Sequence, residues 1–210
     1  MITAVVCDFG GVLTSPLMDA FLAFQEESGI PLEALYGALG VLAERTGAHP
    51  LYELEKGRIT EHEFLEAIAA ELTAALGRKI DMHGFGEAYF AGLRPNQPMI
   101  ELMRALRAER YRMALCTNNV REWEPRWRAM LPVDEIFELV VDSAYVGVRK
   151  PEPEIYQITL DRLGVPAGQA LFIDDVDVNC DGARAAGMRA VQFLDTEQAT
   201  ADIRAALAAG

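Results

Sequence analysis

Near the start of the chain the apolar residues form one short unbroken run, Ala4-Val5-Val6-Cys7, closed by Asp8 and two glycines. A short apolar run bounded by glycine is the pattern of a strand buried on both faces. The period then becomes helical and stays so to about Gly92. Leu17 to Glu27 carries apolar residues at Leu17, Phe21, Leu22 and Phe24, and Leu32 to Leu42 is a second apolar-faced segment. Thr60-Glu61-His62-Glu63 has the spacing of a capping box and introduces a helix from Phe64 to Leu76. Gly84 to Phe90 is a further short helical piece. No β-rich run interrupts residues 15–92, which therefore read as a helical bundle inserted directly after the first strand.

From Leu93 the period alternates. A helix at Gln97 to Ala108 leads into a strand at Arg112 to Cys116, and a second candidate strand is Glu138 to Val141. A helix at Glu152 to Leu163, a strand at Ala170 to Ile173, a helix at Val178 to Ala186, a strand at Arg189 to Phe193 and a helix at Thr196 to Ala208 complete the order. Alternation of this kind predicts an α/β fold, a Rossmann-like, doubly wound parallel sheet covered on both faces. The expected division is a core of residues 1–14 and 93–210 and a helical cap of residues 15–92. Arg94-Pro95 is expected to mark the hinge back to the core.

Right-handed crossovers gather the carboxyl ends of all parallel strands on one edge, where ligands bind in such sheets. Asp8 follows the first predicted strand, Thr117-Asn118-Asn119 the second, and Asp174-Asp175, with Asn179 beyond, the fourth. Lys150 lies between, in Arg149-Lys150-Pro151-Glu152-Pro153, where two prolines predict a fixed loop. Nearby carboxylates repel unless a cation joins them or some stay protonated. Oxygen ligands without histidine or cysteine point to Mg²⁺ rather than zinc. An aspartate nucleophile, a hydroxyl, a backbone amide and a lysine around such an ion are suited to phosphoryl transfer.

Bulk composition narrows the partners. The net charge of −13 repels nucleic acid and anionic membrane surfaces. An anionic substrate must therefore be attracted by a local cation. The 51% hydrophobic content supports a full core. Cys7, Cys116 and Cys180 are odd in number and form no metal-binding pair, so they are read as small buried fillers in a reducing compartment. With no leader-like segment or membrane-length apolar stretch, the expected location is the cytoplasm. Oligomeric state is not encoded in any pattern.

Taken together, these motifs resemble the haloacid dehalogenase superfamily, most of whose members are phosphatases. Asp8-Phe9-Gly10-Gly11-Val12-Leu13 matches its first motif and Leu115-Cys116-Thr117-Asn118 its second. Lys150 matches the third, and Phe172-Ile173-Asp174-Asp175 with Asn179 and Gly187 the fourth. Within the superfamily the pattern is similar to a branch holding a bacterial α-glucose-1-phosphate phosphatase and the phosphatase domain of soluble epoxide hydrolases. The cap segment Leu54-Glu55-Lys56-Gly57-Arg58-Ile59-Thr60 shares that likeness. The resemblance implies a nucleophile at Asp8 and Mg²⁺ held by Asp8, the Gly10 carbonyl and Asp175. It further implies phosphate binding by Thr117, the Asn118 amide and Lys150, with Asp174 and Asn179 in support. The implied substrate is a small phosphorylated metabolite, a sugar phosphate being one candidate.

One position departs from the superfamily. Most of its phosphatases carry a second aspartate two residues after the nucleophile, as acid and base, and here that residue is Gly10. General acid catalysis is worth roughly 10²–10⁴-fold. Three readings stay open on the residues: a phosphatase whose substrate leaves easily, a metal-independent 2-haloacid dehalogenase, and a binding module with weak catalysis. The intact Asp174-Asp175 pair weighs against the dehalogenase. Among residues outside the motifs, His49, Tyr52 and Glu53 are candidates to face substrate. Arg121 is a candidate for a substrate oxygen or a surface ion pair, and Trp123 and Trp127 read as one packed helix face.

Overall fold

The computed structural model describes residues 1–209. In chain order the elements are β1 (Ala4–Cys7), α1 (Leu17–Ser28), α2 (Leu32–Thr46), α3 (Pro50–Glu55), α4 (Glu61–Leu76), α5 (Phe85–Ala91) and α6 (Gln97–Ala108). Then follow β2 (Arg112–Thr117), α7 (Glu124–Met130), α8 (Val133–Ile136), β3 (Leu139–Asp142), α9 (Ser143–Val146) and α10 (Pro153–Leu163). The last are β4 (Ala170–Asp174), α11 (Asp177–Ala185), β5 (Arg189–Gln192) and α12 (Thr196–Ala208).

The strands form one parallel sheet in the order β3-β2-β1-β4-β5. Successive side chains of β1 serve opposite faces, as the two-residue strand period requires. Val5 and Cys7 pack with Met99, Met103 and Ile203 of α6 and α12. Ala4 and Val6 pack with Ile155, Tyr156 and Cys180 of α10 and α11. β1 is therefore buried on both sides, which is why its sequence is apolar without alternation. The chain runs outward from β1 through β2 to β3, then returns to β4 on the other side. The crevice where the winding reverses lies beside the carboxyl end of β1, the ligand position of doubly wound sheets.

Helices α1 to α5 form the cap, inserted after β1 and built around a third apolar cluster. Ile68 and Leu72 of α4 are fully buried there. Each such side chain contributes about 1.5–3 kcal/mol on leaving water. Thr60 and Glu63 form both arms of the capping box that starts α4. The two crossings between cap and core run side by side: Ser15 N donates to Arg94 O at 2.7 Å, and Thr14 bridges Pro95.

Helix α3 lay outside the expected elements. It is six residues long and begins with Pro50, so it completes too few turns to show a period. The short helices α8 and α9 escaped for the same reason, whereas α7 was expected only as the packed face of Trp123 and Trp127. Asp174 is the last residue of β4 rather than the first beyond it.

Candidate active site

Asp8 leaves β1 with its backbone N–H bonded to Ile173 O of β4 at 2.8 Å, so the neighbouring strand fixes where its side chain starts. The carboxylate is buried, and Lys150 Nζ lies 2.7 Å from its Oδ1. The same ammonium lies 2.6 Å from Asp174 Oδ2. Burial works against the lysine's charge, but Asp174 and Asp8 outweigh it and hold the ammonium well above its ordinary range. Its loop is clamped by the side chain of Asn118, just past β2. Asn118 Oδ1 accepts from Lys150 N at 2.8 Å, and Asn118 Nδ2 donates to Lys150 O at 3.0 Å.

Asp174 is fully buried and fully engaged. Besides Lys150, its Oδ1 accepts from Asn179 Nδ2 and from Val176 N, both at 2.9 Å. Asp175 is freer and lies against the turn that follows Asp8. Gly11 sits there at a φ of 76°, and a Cβ on it would collide with Asp175 Oδ2. Only glycine satisfies both the backbone and the carboxylate at this point.

Asp8, Asp174 and Asp175 each bring a carboxylate oxygen within 4.8 Å of the other two. Burial pushes the Asp8 carboxyl up to about 8, with Lys150 pulling it down and Asp174 and Asp175 adding to the rise. Burial and then Asp174 push Asp175 up to about 6. Three carboxylates against one ammonium leave two negative charges when all are ionised. An all-oxygen donor set with that excess fits a hard divalent cation. Because Asp174 is committed to three donors, Asp8 and Asp175 are the carboxylates able to share it.

Asp8, Asp175 and Lys150 form one end of a cavity of about 550 Å³ that runs up into the cap. Thr117, Asn118, Asn119 and Asn179 line it together with the acids. Gly10 lines it as well, and a Cβ there would lie 3.0 Å from Leu17 Cδ2, so a leucine covers the place where a side chain would stand.

The cap contributes residues that spacing did not reveal. Glu55 pairs with Arg149, its Oε2 2.5 Å from Nε, and the guanidinium lies 4.0 Å from the centre of the Tyr52 ring. Burial pushes Glu55 up despite Arg149. Tyr89 stacks on Trp123 with ring centres 5.1 Å apart. Trp123 lines the cavity and donates to Glu61 Oε1 at 2.7 Å. Trp127 is sealed in the core against Phe9, and Trp123 packs against that same cluster as well as against the cap's. Of the candidates in the cap, Tyr52 lines the cavity; His49 stacks on it, and Glu53 pairs with Arg58. Arg121 binds Ala144 O, a link within the core. The three cysteines are free and buried.

Phosphatase MT3486 of Mycobacterium tuberculosis is 31% identical over 201 residues, covering 90% of this chain and 86% of its own. Bifunctional epoxide hydrolase 2 of Rattus norvegicus is 26% identical over 208 residues, covering 93% of this chain. This chain spans only 37% of the length of that relative. Among solved structures, the HAD family enzyme bt-2542 of Bacteroides thetaiotaomicron superposes with a TM-score of 0.72 at 24% identity, covering 91% of this chain and 93% of its own. The same enzyme in complex with magnesium and inorganic phosphate superposes with a TM-score of 0.62. A family model for haloacid dehalogenase-like hydrolases matches residues 2–187, a span that holds β1 to β4 and every side chain gathered at their ends. The chain belongs to the haloacid dehalogenase-like hydrolases.

Proposed function

We propose that this hydrolase is a Mg²⁺-dependent phosphatase that acts on a small phosphorylated metabolite through an aspartyl-phosphate on Asp8. The observation that carries the reading is the position of Asp8. Its carboxylate opens onto the cavity between a lysine that is held charged and a second carboxylate, Asp175, with no other assigned partner. Relatives bearing phosphatase names, and a fold neighbour solved with magnesium and phosphate, support it.

Asp8, Asp175 and the Gly10 carbonyl would hold the metal, whose positive charge would offset that of the carboxylates and the phosphoryl oxygens. Thr117, the Asn118 amide and Lys150 bind the phosphoryl group and orient it towards Asp8. Asp8 attacks phosphorus and the ester oxygen departs. Water then attacks the aspartyl-phosphate, releasing phosphate and restoring the carboxylate. Asp174 holds Lys150 in place, and Asn179 in turn holds Asp174. The cap, residues 15–92, excludes bulk water and selects the organic part.

A metal-free dehalogenase would use Asp175 only as a base for the attacking water, whereas a phosphatase also needs it to hold the metal, so the requirement for Mg²⁺ separates the two readings. The test is phosphate release from acetyl phosphate with Mg²⁺ or with EDTA, for the wild type and Asp8→Asn. Turnover that needs both the metal and Asp8 is expected. Turnover in EDTA, or in the variant, overturns the reading.

A further inference from the structure

The cavity has two chemically different ends. Opposite the acids its wall is formed by Leu35, Leu39, Leu51, Leu54, Phe64 and Phe85 of the cap. The polar side chains that the cap adds to the wall are Tyr52, Glu55 and Tyr89. Glu55 is paired with Arg149, which covers the face of the Tyr52 ring and leaves the Tyr52 hydroxyl unengaged. Tyr89 offers a single hydroxyl. A sugar entering this space would leave several hydroxyls without partners, which is unfavourable in a buried site. A hydrocarbon body would instead replace water against leucine and phenylalanine.

The other constraint lies at Gly10. Residue 10 brings no carboxylic acid, and Leu17 covers the place where its side chain would stand. An ester oxygen leaving from this site must depart without a proton from residue 10. An alkoxide leaves poorly under that condition, whereas the oxygen of a phenol leaves as a stabilised anion.

From the two observations together we infer that the substrates are aryl phosphates, phosphate monoesters of apolar aromatic alcohols, with the ring lodged in the cap. This inference rests on the phosphatase reading above and names the substrate class. In the first step the Asp8 oxygen–phosphorus bond forms and the phosphorus–aryl oxygen bond breaks. The electron pair leaves on the aryloxide, which takes its proton from solvent. Water then cleaves the aspartyl-phosphate, giving inorganic phosphate.

The test compares four phosphate donors on the Mg²⁺-loaded wild type. Acetyl phosphate is small and leaves easily, 1-naphthyl phosphate is apolar and leaves easily, octyl phosphate is apolar and leaves poorly, and glucose 1-phosphate is polar. The kcat/KM for 1-naphthyl phosphate should exceed that for glucose 1-phosphate by at least about 100-fold, each buried methylene-sized group being worth about fourfold. Octyl phosphate should bind Asp8→Asn more tightly than glucose 1-phosphate in calorimetry, yet turn over on the wild type at least about 100-fold more slowly than 1-naphthyl phosphate. If acetyl phosphate is hydrolysed but 1-naphthyl phosphate does no better than glucose 1-phosphate, the inference is overturned and the phosphatase reading stands. Octyl phosphate turning over as fast as 1-naphthyl phosphate also overturns it. If none of the four donors is hydrolysed, the phosphatase reading fails and takes the inference with it.

Discussion

Lys150 Nζ and Asp174 Oδ2 meet at 2.6 Å with both side chains shut off from solvent, although the substrate cavity opens beside them on Asp8. The lysine is thus anchored from behind by an aspartate while its ammonium faces Asp8, the proposed nucleophile. Truncating one partner of a buried pair costs about 3–5 kcal/mol, because the other charge stays buried. Asp174→Ala should lose stability of about that size in urea unfolding. Its kcat should fall about 10–100-fold, the usual effect of losing a group that orients a ligand-bearing side chain. A variant of wild-type stability and activity would remove Asp174 from the account.

Asn118 grips Lys150 by its backbone rather than its charge. Asn118→Ala removes two hydrogen bonds worth about 1 kcal/mol each. The lysine then loses its position but not its charge. A drop in kcat without any change in the pH dependence of kcat is the expected signature. A shifted pH profile would mean that the residue does more than position.

Gly11 is confined by its positive φ and by Asp175. Gly11→Ala therefore displaces a carboxylate assigned to the metal. Calorimetric Mg²⁺ affinity should fall by at least about tenfold, since distorting the surroundings of a ligand commonly costs 10–100-fold. Unchanged affinity would separate Asp175 from the metal.

The carboxyls of Asp8 and Asp175, raised to about 8 and about 6, keep protons in the folded metal-free protein that the unfolded chain, at an ordinary 3.8, has released. The folded state binds more protons across that window, so stability declines as pH rises from about 4 to about 8. Mg²⁺ requires the ionised carboxylates, and its stabilising effect grows over the same range. Melting curves in EDTA should shift downward between about pH 5 and about pH 8, while the increase on adding Mg²⁺ widens. A Mg²⁺ effect that narrows toward pH 8 would contradict the assignment.

Restoring the missing acid tests Gly10. Gly10→Asp alone meets Leu17 and should gain little. Gly10→Asp combined with Leu17→Ala makes room, and hydrolysis of octyl phosphate should rise by at least about 10²-fold. No gain in the double variant would mean that proton donation at residue 10 is not what limits the reaction.

Much of this arrangement was legible in the sequence because strand ends in a parallel sheet converge on one edge. Asp8, Thr117 and Asp174 follow from that rule and from apolar runs that stop at polar residues. The partition between the two adjacent aspartates had a weaker signal: the structure commits Asp174 to Lys150, Asn179 and Val176 through three specific contacts. The second role of Asn118 was hidden because side-chain contacts across 32 residues leave no periodicity. Likewise, Tyr89 and Glu55 sit in helices too short to show which face is inward. The spacing of Trp123 and Trp127 marked one packed face, but not that Trp123, at the end of a short 3-10 turn at Arg121–Trp123 before α7, packs against the cap as well.

Whether Asp8 carries the phosphoryl group is read by acid-quenched mass spectrometry during turnover of acetyl phosphate with Mg²⁺. One phosphoryl mass is expected on the peptide containing Asp8, lost in Asp8→Asn and in EDTA. A phosphoryl group on another residue, or steady turnover by Asp8→Asn, would contradict that role for Asp8.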